Sequence, residues 1–214
     1  MARKPADQSV SREDIIAAAA EVLKQKGYEA TTMKDIAAEV DLTAASLYHH
    51  FKNKNALLLA VLEGGMDYAL EHLRPISESD MPTGDKLRRM IQVHVVSLTT
   101  HTAVGAAMMF EIGALLGIKA PSSDGKLARK EIEEFAERRK MFITRRDVFE
   151  ACFVEVVEAG IASGEFREVD VPIFVKTMLG AHNWVSVWYR ESGRLDGEMI
   201  ADHMADTFLR ALEP

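Results

Sequence analysis

The chain has 214 residues, 48% of them hydrophobic, and a formal net charge of −7, which suits a small domain fused to a larger one with a sizeable core. No apolar run approaches the ~18 residues of a membrane span, Met1 to Val10 lacks a signal-peptide core, and the lone Cys152 excludes an intrachain disulfide and a cysteine metal cage, so a cytoplasmic protein with no membrane partner is expected. The acidic total argues against a nucleic-acid binder, yet residues 1–55 hold eight Lys/Arg against eight Asp/Glu, so the whole excess lies in residues 56–214 and local charge decides.

Ser11-Arg12-Glu13-Asp14 reads as a helix start in the style of a capping box, Ile15, Ile16, Ala19, Val22 and Leu23 follow at helical spacing, and Gly27 closes this first helix. Thr32 to Val40 makes a capped two-turn second helix. Asp41-Leu42-Thr43 is so short a connection that the third helix, ending at Phe51, must cross the second. The layout is a helix-turn-helix, with Ile36, Ala37, Val40, Leu42, Leu47 and Phe51 as its apolar residues. Ala44, Ala45, Ser46 and His49 would face the major groove, and Thr32, Thr43, Tyr48, His50 and Lys54 are donors suited to phosphate. Arg3, Lys4 and Arg12 fit either a DNA-reaching arm or a solvated tail. The adjacent His49 and His50 point about 100° apart on a helix, with no Cys, Asp or Glu a turn away, so no metal is expected.

Asn53 caps a fourth helix reaching to about Leu73, weakened at Gly64-Gly65 and ended by Arg74-Pro75, and Ser77 to Gly84 is a loop. A fifth helix reads from about Asp85 to His101, with Leu87, Met90, Ile91, His94 and Leu98 on one face. The sixth, roughly Ala103 to Leu116, is almost wholly apolar and therefore expected to be buried, with Glu111 as its anomaly. After a loop at Lys119 to Gly125 the helical pattern continues to about Ala162, as one long helix or two broken near Thr144. Asp170-Val171-Pro172 opens the eighth helix, which Gly193 ends, and Asp196 opens the ninth. Nothing alternates with period two, so the fold is all-α, with about nine helices.

Through Thr31-Thr32, Ile36-Ala37, Leu47-Tyr48-His49-His50-Phe51, Lys52-Asn53-Lys54 and Leu57-Leu58, the chain resembles the TetR family of bacterial transcriptional regulators. It departs from the family pattern at Asp41, where the turn usually has glycine, and at Ala45, where the recognition helix often has one. Aspartate tolerates the left-handed turn conformation, and the extra methyl of Ala45 bears on base preference rather than on the fold. The resemblance implies that Lys34 reads a base or the adjacent phosphate, that residues 1–55 form the DNA-binding domain, and that residues 56–214 bind a ligand and dimerise.

One such head makes few base contacts, so a homodimer on two half-sites of double-stranded operator DNA is expected. Phe174, Met178, Ala181, Val185, Ile200, Met204 and Phe208 on the last two helices are its candidate interface, with one shared internal core as the alternative. Met90, Met109, Phe110, Phe149, Phe153, Trp184 and Trp188 are candidates to line a cavity for a hydrophobic effector, and His94, Glu111, His182 and Asn183 to orient it. Gly160 to Arg167 and Trp184 to Arg190 resemble the C-terminal region of TetR-type regulators of fatty-acid and steroid breakdown, which implies an acyl-CoA effector. Arg138, Arg139, Lys140, Arg145 and Arg146 are the cations available to its phosphates, or equally a solvated face. No cofactor and no catalytic constellation are read, which leaves a small-molecule-binding protein with a non-functional helix-turn-helix as the rival to a ligand-released repressor.

Overall fold

Side-chain caps fix where most of the helices begin. The Ser11 hydroxyl accepts from the Asp14 N–H at 3.0 Å while the Asp14 carboxylate accepts from the Ser11 N–H at 2.9 Å, and Thr32 and Asp35 repeat this reciprocal exchange. Thr43, Asn53, Asp170 and Asp196 each accept a first-turn N–H. Such caps contribute about 1 kcal/mol apiece.

The computed structural model describes residues 10–118 and 126–214. It contains α1 (Arg12–Ala30), α2 (Met33–Glu39), α3 (Ala44–His50), α4 (Lys54–Ser77), α5 (Thr83–Thr100), α6 (Thr102–Phe110), α7 (Ile112–Gly117), α8 (Lys126–Ser163), α9 (Val171–Trp188) and α10 (Gly197–Arg210). No strand occurs among the described residues. Arg3, Lys4 and the loop expected at Lys119 to Gly125 lie outside them.

Four local outcomes refine the sequence reading. Gly27 does interrupt α1, at φ 73°, and one further turn follows it before Thr31 closes the segment with its N–H and hydroxyl on the Gly27 carbonyl. α4 runs through Gly64-Gly65 and past Pro75 to Ser77 instead of stopping at Arg74. Proline there forfeits one hydrogen bond in the final turn, which still closes through Glu78 N–H on the Arg74 carbonyl at 3.0 Å. α8 is one helix of 38 residues with no break near Thr144. The expected sixth helix is instead two, parted at Glu111, and it is not buried all round, since Phe110 and Leu116 are 54% and 55% exposed. This division raises the number of helices among the described residues from nine to ten.

α1, α2 and α3 form a small head, and α4 leads from it into the larger bundle, packing along α8 and α5. α5 and α6 meet at 100°, which turns α6 back against α1. α10 lies along α5, with Arg88 bound to Asp206 at 2.7 Å and Gln92 to Asp202 at 2.6 Å. One continuous apolar core extends from Ile15 in the head to Leu212. At Gly65 a Cβ would lie 2.6 Å from Val104 Cγ1, so glycine is what lets α6 cross α4 this closely. No single helix among the described residues is long and apolar enough to cross a membrane.

Candidate nucleic-acid interface and regulatory cavity

The head is built around Ile15, Leu23, Ile36, Ala37, Leu47 and Phe51, all buried. Between α2 and α3 the chain turns at Asp41, which takes φ 54° as its place in the family's glycine position requires, while the Leu42 N–H returns to the Ala37 carbonyl at 2.8 Å. Asp35 is occupied by Lys26 at 2.7 Å and by Thr32, and these contacts hold its carboxyl well below the usual range. The acid that opens α2 is thus partnered within the head.

With Leu47 and Phe51 turned inward, α3 presents Ala45, Tyr48, His49 and His50 to solvent. Tyr48 is 52% exposed, an arrangement for an aromatic side chain that suits an external partner. Ala44 and Ser46 are half-buried, and the Thr43 hydroxyl is engaged in capping the Ser46 N–H at 3.1 Å. Lys34 and Thr32 are exposed at the start of α2, beside this face.

Lys54 departs from the sequence expectation. Its Nζ donates to the Tyr28 carbonyl at 2.8 Å and to that of Glu29 at 3.4 Å, and lies 4.2 Å from the centre of the Tyr28 ring. These carbonyls end α1, and a cation there satisfies acceptors that the helix leaves open. Lys54 therefore braces the head rather than reaching outward. Lys52 is also engaged, with Glu131 of α8 at 3.1 Å, and the Arg12 guanidinium sits 4.7 Å over the Phe51 ring.

A cavity of about 530 Å³ lies between α4, α5, α6, α8 and α9. His94, Met109, Phe149 and Asn183 line it, as does Met108. Five other ligand candidates are placed elsewhere. Met90 and Phe153 are wholly buried core, and Phe110 opens onto a separate, more polar groove beside Lys24 and Arg190. Trp184 and Trp188 stand 48% and 47% exposed, because they lie on the side of α9 away from its buried residues Val175, Leu179, His182 and Ser186.

Glu111 also serves another purpose. Its Oε1 accepts the Tyr28 N–H at 3.2 Å, linking the α6–α7 corner to the α1 terminus, and burial raises its carboxyl pKa. His182 is fully buried behind His94, with ring centroids 5.7 Å apart. Burial pushes the His94 pKa down to about 4, against a smaller upward pull from the neighbouring Asn183 side chain. Burial, and then the neighbouring His94, holds His182 well below its ordinary value. His94 Nε2 and both ring nitrogens of His182 have no hydrogen-bond partner among the described residues.

The sequence reading missed Tyr68, His101 and Lys176, which also line the cavity. Gly64 and Gly65 were legible only as weak points of a helix, whereas both face this space. Of the candidate cations, Arg138 pairs with Glu63, Arg139 donates to the Ile118 carbonyl at 2.9 Å, Arg145 meets Asp67 at 2.9 Å, and Lys140 is exposed. Arg146 alone of the five lines the cavity, and Lys176, which pairs with Glu150, lines it too. No group of three or more potential metal-ligating side chains occurs among the described residues.

The candidate dimer residues divide in a similar way. Met178, Val185 and Ile200 are buried within one chain, and Phe174 and Phe208 pack edge to face on each other at 6.0 Å, with Met204 half-buried against the same core. The apolar stripe was assigned one helical step from the face that is exposed. Ala181 does point outward, in line with Ile173, Trp184 and Trp188 on α9.

A capped trihelical head with a positive-φ turn and a solvent-facing third helix, seated on a helical bundle that holds a cavity, defines a helix-turn-helix transcription factor. Residues 15–61 match the family model "Bacterial regulatory proteins, tetR family", and residues 126–212 match "Tetracyclin repressor-like, C-terminal domain". The chain belongs to the TetR family, whose members are DNA-binding transcription factors and not enzymes. It is 27% identical over 198 residues to the HTH-type transcriptional repressor KstR2 of Mycolicibacterium smegmatis, covering 92% of this chain and 87% of that one. Among solved structures it resembles the regulator PfmR of Thermus thermophilus, at 28% identity and a TM-score of 0.75, covering 94% and 99% of the two chains. It is also similar to AibR in complex with isovaleryl coenzyme A and operator DNA, at 25% identity and a TM-score of 0.72 over 92% and 96%.

Proposed function

We propose that the protein is a cytoplasmic, homodimeric repressor that leaves operator DNA when an apolar effector fills the 530 Å³ cavity. In this reading residues 1–55 bind DNA and residues 56–214 sense and dimerise. The observation that carries it is that α4, capped by Asn53 at the base of the head, also supplies Val61, Gly64, Gly65 and Tyr68 to the cavity wall. An effector that favours one position of α4 changes the separation of two reading heads, and DNA affinity falls as that spacing leaves the groove repeat. The exposed Ile173, Ala181, Trp184 and Trp188 of α9 form the dimer face. Ala45 and His49 address bases, and Tyr48, His50 and Lys34 address phosphates or adjacent edges.

An acyl-CoA is the effector class that we favour. The cavity volume suits an acyl group, and two cations line its wall, Arg146 and Lys176, the latter paired with Glu150. The likeness to AibR, solved with isovaleryl coenzyme A, supports the same choice. Operator sequences selected from a random duplex library allow a direct test by fluorescence anisotropy with and without dodecanoyl-CoA. The thioester is expected to lower operator affinity, and operator to lower thioester affinity by the same factor. Equal thioester affinity with and without operator refutes the coupling.

A further inference from the structure

The cavity wall carries charged and uncharged polar groups at different places. Arg146 and the exposed Lys176 line it, with Lys176 paired to Glu150, and so do His94 and Asn183, together with Tyr68, Ser97 and His101. Lys176 and Asn183 both belong to α9 and are separated by two helical turns, roughly 10 Å along the cavity. The walls between them include Leu179, Leu98 and Phe149.

His94 is the one cavity-lining residue that keeps a buried ring nitrogen without a partner among the described residues. The Phe149 and Phe153 rings flank it on α8, with centroids 5.1 and 6.3 Å away, and His182 backs it on α9. None of these neighbours satisfies Nε2. A buried polar atom left unsatisfied costs about 1–3 kcal/mol, so such groups call for an explanation. Nε2 is itself shielded from the cavity that His94 lines, so the imidazole must turn for that nitrogen to meet a ligand there. Apolar surroundings keep both imidazoles uncharged, so they suit an uncharged oxygen and offer a carboxylate no counter-charge.

Resting on the effector reading above, we infer that the natural effector is an apolar acid, or its thioester, bearing a ketone or hydroxyl oxygen at the end remote from its anionic group, and that His94 with Asn183 selects that oxygen. The anionic end lies toward Arg146 and Lys176. A plain saturated acyl chain would leave the His94 nitrogen unsatisfied and so bind less well.

A matched pair of probes tests this, dodecanoate and 11-oxododecanoate, which differ only in the distal ketone. Isothermal titration of the full chain is expected to show the keto acid binding about three- to tenfold more tightly, the range of one net hydrogen bond. His94→Phe should abolish or reverse that preference, and His94→Gln, which still hydrogen-bonds, should retain part of it. The imidazole 15N shifts of His94 should move with the keto acid alone. A preference for dodecanoate in the native protein, or a keto preference that survives in a folded His94→Phe variant, overturns the inference. Binding of dodecanoate with rejection of the keto acid overturns it while leaving the effector reading intact. Failure of both acids and of dodecanoyl-CoA to bind overturns both.

Discussion

Acid should weaken this protein through His94 before its carboxylates titrate. The unfolded imidazole titrates at 6.5 and the folded one at about 4. Between these values the unfolded chain takes up a proton that the folded chain refuses, so stability is complete above pH 6.5 and declines as pH falls toward 4. The loss attributable to His94 is about 2 kcal/mol between pH 7 and pH 5 and approaches about 3 kcal/mol below pH 4. His182 acts in the same direction. Urea unfolding of the native protein and of His94→Phe at pH 7, 6 and 5 isolates the effect, since other titrating groups are common to both. At pH 7 the variant should be within about 1 kcal/mol of the native protein, because it removes an unsatisfied nitrogen and the adjoining cavity accepts the larger ring. At pH 5 it should be the more stable by about 2 kcal/mol. Parallel stability curves for the two proteins would refute the burial argument.

Lys54→Met should lower the urea midpoint by the equivalent of about 1–2 kcal/mol while leaving the salt dependence of operator binding unchanged, whereas a phosphate anchor would show the reverse. Lys34→Ala should reduce the salt slope by about one and spare stability, and Tyr48→Ala should weaken operator binding with an unaltered melting curve. Glu111→Ala strands the Tyr28 N–H and should cost about 1–3 kcal/mol by chemical denaturation, with Glu111→Gln close to native because its amide oxygen still accepts. Trp184→Glu, which places charge on the outward face of α9, should yield monomers in sedimentation equilibrium, and an unchanged dimer would exclude that face as the interface.

The head was legible almost residue by residue, since caps, turn and inward positions are local: Ser11 with Asp14, Thr32 with Asp35, and Asp41 at φ 54° all follow from nearest neighbours. The role of Lys54 was not, because its partners are the carbonyls of Tyr28 and Glu29, more than twenty positions away. Glu111 misled for the same reason, as a lone acid in an apolar run discloses no distant amide. Periodicity found the apolar stripes of α9 and α10 but could not say whether a stripe packs inward or against a second copy, so Met178 and Val185 were assigned to the wrong surface. The cavity was half visible: the sequence marked His94, Met109, Phe149 and Asn183, while the contributions of Gly64, Gly65 and Lys176 depended on how helices cross.

The Glu111 bond to Tyr28 also bears on protein engineering. Alongside it, Lys24 Nζ donates to the Thr102 hydroxyl at 2.8 Å, so α1 is fastened to α6 twice. A chimera that transplants residues 1–55 onto a foreign sensor would carry an amide and an ammonium whose acceptors stay behind. Heads of this kind should be exchanged together with the Thr102 to Glu111 segment, and a graft made at the α3–α4 junction alone should fold poorly even when its recognition surface is intact.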